Sequence, residues 1–183
     1  RSLQDIRIDN ITTGALPSER ERNILKIVGL KIRNCIRNNT TTPYVYRWAV
    51  VTPKRHNTST NLPQNFFKAF DDEQAHDFST ARSGIEMISN PIDRTNYTVH
   101  AQGKINVAGT TINQGATMTE KFVNKKVKLA LKKTYDIDAN TVPFESTWFV
   151  FWCDTPFSAF ADPVAAAALT SGLELDVIWH EAH

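Results

Sequence analysis

Cations, rather than nucleophiles or metal ligands, are the residues whose spacing suggests chemistry in this sequence. The stretch Glu120 to Lys133, EKFVNKKVKLALKK, holds six lysines. Lys126, Lys128, Ala130 and Lys132 share one parity, and Val127, Leu129 and Leu131 share the other. Alternate side chains of a strand leave on opposite faces, so this pattern predicts a strand with one face in a core and one row of ammonium groups. Ile24 to Arg37 repeats the arrangement, with Val28, Leu30, Ile32 and Ile36 set against Lys31, Arg33, Cys35 and Arg37. Such rows suit the phosphates of a polyanion or a basic subunit interface, and the candidate residues are Lys31, Arg33, Arg37, Lys125, Lys126, Lys128, Lys132 and Lys133. Exposed strands also carry lysine for solubility and edge protection. Neither row shows interleaved aromatics for base stacking, so contacts without sequence specificity are expected.

Other chemistry is thin. There is no Gly-rich phosphate loop, nucleophile elbow or paired-cysteine metal motif. His180-Glu181-Ala182-His183 spaces its histidines three apart, rather than the four a zinc-binding helix needs, and it lies at the end of a predicted strand. Asp71, Asp72, Glu73 and Asp77 around His76 are read as the solvated end of a helix. Cys35 and Cys153 sit in apolar or strand-like surroundings and support neither a disulfide framework nor a zinc site. No enzymatic activity, metal or other cofactor is expected.

The chain has 183 residues, 41% hydrophobic and 22% charged, which predicts one globular domain over 1–183. No linker composition divides it, and no apolar run is long enough to cross a bilayer as a helix, so no membrane partner is expected. The formal net charge of +2 conceals segregation. Residues 1–60 carry eleven Lys/Arg against four Asp/Glu, and residues 134–183 carry none against eight. That distribution permits a basic surface for polyanions, or complementary patches between copies of the chain.

The elements that must position the cations read as strands. Weak alternation over 3–11 predicts an edge strand, and NNTTTP at 38–43 predicts a turn from the first basic strand into Tyr44 to Thr52, apolar on both faces. Leu62, Phe66, Phe67 and Phe70, with Asn61 as N-cap, predict one short helix. A little strand near Ile85 to Ile88 and a long one from Tyr97 to Val107 follow, the latter keeping Tyr97, Val99, Ala101, Gly103, Ile105 and Val107 on one parity. Thr147 to Cys153 is a buried strand, Ala165 to Leu169 a helical turn, and Leu173 to His180 a terminal strand. About eight antiparallel strands with long loops and one short helix predict an all-β jelly roll or a related Greek-key barrel.

In order and motif the chain resembles the capsid proteins of small circular single-stranded DNA viruses that encode a replication initiator, circovirus-like and geminivirus-like. The resemblance runs through IDNITTGALPSERERNILKIVGLKIRNCIR, YVYRWAVVTPKR, NFFKAFDDE, YTVHAQGKINVAG, EKFVNKKVKLALKKTYD, TWFVFWCDT and LELDVIWHE. It implies a single jelly roll that self-assembles into a T=1 icosahedral shell of about sixty copies around a single-stranded DNA genome. It further implies location in the virion, and in the host nucleus during assembly, and a host receptor that the sequence does not identify. Family members usually begin with an Arg/Lys-rich arm that neutralises the genome and directs nuclear import, whereas this sequence opens RSLQDIRI. Either such an arm lies upstream of Arg1, or packaging rests on the rows around Lys31 and Lys126. Two other readings stand beside this one: the coat protein of a small RNA or satellite virus, and a non-viral ligand-binding jelly roll using Tyr44, Tyr46 and Trp48.

Overall fold

The computed structural model describes residues 4–11, 21–54, 65–68, 88–109, 119–135, 145–154 and 169–181. Among the described residues, seven strands follow one another as β1 (Gln4–Arg7), β2 (Ile24–Asn38), β3 (Tyr44–Pro53), β4 (Tyr97–Val107), β5 (Thr119–Thr134), β6 (Trp148–Asp154) and β7 (Leu169–Glu181). They form two antiparallel sheets, ordered β1-β6-β3-β4 and β5-β2-β7. This is the all-β, jelly-roll-like architecture that the alternation predicts.

Leu30, Ile32 and Ile36 of β2 and Val123 and Leu129 of β5 meet Tyr46, Trp48, Val50 and Phe149 of the opposite sheet in the main core. Tyr46 stacks on Phe151 and Trp48 on Phe149, with ring centroids 5.7 and 6.1 Å apart. Gly103 makes room for the indole of Trp48, because a Cβ there would come within 2.4 Å of the ring. The sheets are also tied by a buried polar contact: Asn34 on β2 donates to the Tyr46 hydroxyl at 3.0 Å and accepts from Ser171 of β7 at 2.8 Å. Burial pushes the Tyr46 phenol well above its ordinary pKa, so it stays neutral.

The β1-β6-β3-β4 sheet is buried on its second face as well, as the doubly apolar β3 and β6 require. Ala49, Val51, Trp148, Val150 and Trp152 pack there against Phe66, Phe67 and Ile92. Arg47 enters this layer, donates to the carbonyls of Ile88 and Asn90, and lies 4.9 Å from the Trp152 ring centre.

Several expectations change. Phe66 and Phe67 are not helical: Phe67 forms an isolated antiparallel bridge with Ile92, and Asn65 before them sits at φ 67°. Hydrogen bonds from Lys68 N to Pro91 O and from Asp93 N to Phe66 O hold that segment across the sheet, so tertiary pairing overrides helical spacing. Among the described residues, only Ile88 and Ser89 are helical. The rest of the expected helix, the acidic cluster at 71–77, most of the 85–88 strand and nearly all of the 165–169 turn lie outside the described residues.

Two bulges also redistribute side chains that simple alternation assigns to one face. The register of β2 shifts between Ile27 and Gly29, so Leu25 and Ile27 join Leu30 and Ile32 in burial while Val28 is only half-buried. In β4, Val99 pairs with Val51 and Ala101 with Val50, leaving His100 as the extra residue. Tyr97 and Val99 therefore pack on the outer layer, and Ala101, Ile105 and Val107 on the main core.

Candidate nucleic-acid interface

The two predicted basic rows become neighbouring columns on the outer face of the β5-β2-β7 sheet. Cross-strand partners place Lys31 beside Lys126, Arg33 beside Asn124, Arg37 beside Glu120, and Lys26 beside Lys132. On the other side of β2, Lys31 faces Asp176 and Arg33 faces Glu174. The long register thus joins one strand rich in cations, one mixed strand and one acidic strand.

Their electrostatic situations differ. Lys31 Nζ lies 3.3 Å from Asp176 Oδ2, and Arg33 Nη2 lies 2.9 Å from Glu174 Oε1 and 3.6 Å from Asp176 Oδ2. Arg37 reaches Glu120 through Nε at 2.9 Å and Nη2 at 2.6 Å. The β2 row is therefore largely compensated within the sheet. Lys125, Lys126, Lys128 and Lys132 are exposed and have no ion pair among the described residues. Lys126 and Lys128 are two residues apart, about 7 Å along the strand. Lys125 shares the inward parity of Val123 and Val127 yet remains exposed on this edge strand.

Lys133 is corrected outright. Its side chain is 3% exposed and its ammonium lies 3.1 Å from Asp9 Oδ2, where it also donates to the Glu145 carbonyl. Desolvation pushes its pKa below the ordinary lysine value, while Asp9 and Glu145 act in the opposite direction. Asp9 also pairs with Arg7 Nε at 3.1 Å and accepts from the Thr147 amide at 2.6 Å. Lys133 thus fastens the end of β5 to the segments after β1 and before β6 and presents nothing to a polyanion. Its parity with Leu129 and Leu131 is the sequence signal that marks it as inward.

Phe122 is the residue that the lysine pattern overshadows. It lies on the parity of Lys126 and Lys128 and is 73% exposed. It borders a shallow groove of about 400 Å³ with Arg33, Cys35, Asn124, Gly172 and Glu174. A Cβ on Gly172 would meet nothing within 4 Å, so the groove is open at that point. The face therefore does carry one aromatic next to its cations, a pairing that can stack a planar base while lysines contact the backbone phosphates.

The remaining candidates fall elsewhere. Tyr44, Tyr46 and Trp48, offered for a ligand-binding jelly roll, are buried. His180 is exposed and His183 lies outside the described residues. Neither Cys35 nor Cys153 is in a disulfide; the first lies beside Phe122 in the groove and the second packs against the main core. Among the described residues no group of three or more His, Cys, Asp or Glu side chains is placed to hold a metal, and no helix is long and apolar enough to cross a membrane. No protein-family model matches the chain, and no curated protein is significantly similar to it.

Proposed function

We propose that the chain is a structural capsid subunit that self-assembles into a small T=1 icosahedral shell and encloses a circular single-stranded DNA genome without reading its sequence. The observation that carries this reading is the charge gradient across the outer face of one sheet of a jelly-roll-like sandwich. Lys126, Lys128 and Lys132, without an ion pair among the described residues, stand on β5, and Glu174 and Asp176 stand two strands away on β7. A row of exposed cations lowers the electrostatic cost of confining a polyanion, because each phosphate neutralised releases condensed counterions. The same gradient gives one face opposite signs at its two sides, which favours head-to-tail contacts between copies over random association. The proposed role is architectural, with no catalytic step, and it places the protein in the virion and in the host nucleus during assembly.

Nuclease treatment of the purified protein, followed by extraction and sequencing of what survives, tests this reading. Protected circular single-stranded DNA is the expected result. Protected RNA would assign the chain instead to the coat of an RNA or satellite virus. A monomer with no protected nucleic acid at any salt or protein concentration would contradict both.

A further inference from the structure

Among the described residues β5 pairs along one side only, with β2, and so forms one edge of its sheet. Over residues 119–128 that pairing runs without a register shift, so the opposite edge is a regular row of main-chain donors and acceptors. Both faces are open there. Glu120, Phe122, Asn124, Lys126 and Lys128 are exposed on the outer face, and Lys121 and Lys125 are exposed although they share the inward parity of Val123. An open edge templates pairing with another chain, and lysines are the usual guard against it.

Here the charges select a register rather than forbid pairing. When two copies of one strand pair antiparallel about a two-fold axis, the register is fixed by the residue that meets itself. Centring on Glu120, Lys121, Lys125, Lys126 or Lys128 sets that charge against its own copy. Centring on Val123, Val127 or Leu129 sets Lys121 against Lys125, Lys126 against Lys128, or Lys126 against Lys132. Phe122 and Asn124 remain. Of these, only Asn124 also matches unlike groups: Glu120 falls opposite the partner's Lys128 as an ion pair, and Phe122 opposite the partner's Lys126 as a cation–π contact. Lys121 and Lys125 fall opposite Val127 and Val123. Arg37 already holds Glu120, but both of its hydrogen bonds go to Oε1, so Oε2 can accept from the partner.

We propose that the β5 edge seats the β5 edge of a second copy, antiparallel over residues 119–129 about a two-fold axis at Asn124. One continuous sheet then runs from β7 of one copy through both β5 strands to β7 of the other. Phe122, 73% exposed in the single chain, is covered by the partner's strand. The lysine columns of the two copies form a single basic strip between two acidic margins. The inference does not depend on the capsid reading, although a closed icosahedral shell contains two-fold axes on which this contact can lie.

Disulfide trapping tests it on the full-length protein in a Cys35→Ser background, because Cys35 neighbours Phe122. Non-reducing denaturing gels report a covalent dimer whether the protein is free or assembled. Asn124→Cys sets two thiols directly opposite each other, whereas Phe122→Cys leaves them about 14 Å apart along the strands. Under mild oxidation the Asn124→Cys dimer forms at least about tenfold faster than the Phe122→Cys dimer. Adding Glu120→Lys slows the Asn124→Cys link, and adding Lys128→Glu to that variant restores it, an exchange that local misfolding does not produce. Equal rates from the two cysteine positions, faster linking through Phe122→Cys, no dimer from either, or a charge swap without rescue overturns the proposal.

Discussion

Lys133 and Asp9 form an ion pair of 3.1 Å with side chains 3% and 0% exposed, joining the end of β5 to the segment after β1. Breaking such a pair leaves a desolvated charge, which costs more than the pair itself contributes. Lys133→Met and Asp9→Asn are each expected to lower stability by about 3–5 kcal/mol in urea unfolding. The double variant Lys133→Met/Asp9→Leu should lose clearly less than the sum of the two single losses, and a loss equal to that sum would show that the charges are not coupled.

Gly103 is required by packing rather than by backbone conformation. A methyl group there would meet the Trp48 ring at 2.4 Å, so Gly103→Ala displaces an indole stacked on Phe149. A loss of about 1–3 kcal/mol is expected, with a change in Trp48 emission before unfolding. Wild-type stability and emission would mean that the ring has room to move.

His100, the extra residue of the β4 bulge, lies 2.9 Å from Thr52 Oγ1, and that hydroxyl is 2.7 Å from Thr147 Oγ1. Burial lowers its pKa below the ordinary value of 6.5, and the Lys133 charge adds to the shift. The unfolded chain therefore takes up a proton near pH 6.5 that the folded chain still refuses. Its contribution is fully present above that pH and is lost progressively as the pH falls through the lower folded value. His100→Gln should flatten this part of the stability profile when melting temperatures are compared between pH 7.5 and 5.

Strand positions and face alternation were legible because β5, β3 and β6 keep their parity through Val127, Leu129 and Leu131, Tyr46 and Trp48, and Phe149 and Phe151. The bulges at Val28 and His100 were not. Each shifts the register by one residue and turns the following side chains to the other face without altering the polar and apolar succession. The ion pairs of Lys31 and Arg33 were equally hidden, because their partners on β7 are more than a hundred residues away and only the register brings them together. Lys133 was the legible exception, since its parity with Leu131 already placed it inward.

On the outer sheet face, replacing Lys126, Lys128 and Lys132 together by Ala should leave thermal stability nearly unchanged, because none has an ion pair among the described residues. Single-stranded DNA binding should weaken, and its dependence on log salt should become shallower by about two to three units. Phe122→Ala should instead cost about 1–3 kcal/mol of binding with the salt slope unchanged. Fluorescence titrations at several salt concentrations separate the two effects, and intact binding in the triple lysine variant would remove this face from the genome contact.

That copies of this chain build a closed shell is tested most directly by electron microscopy of the purified full-length protein. Uniform hollow or filled particles of icosahedral symmetry are predicted. A field of monomers or irregular aggregates, persisting across salt and protein concentration while the sandwich remains folded by circular dichroism, would contradict it.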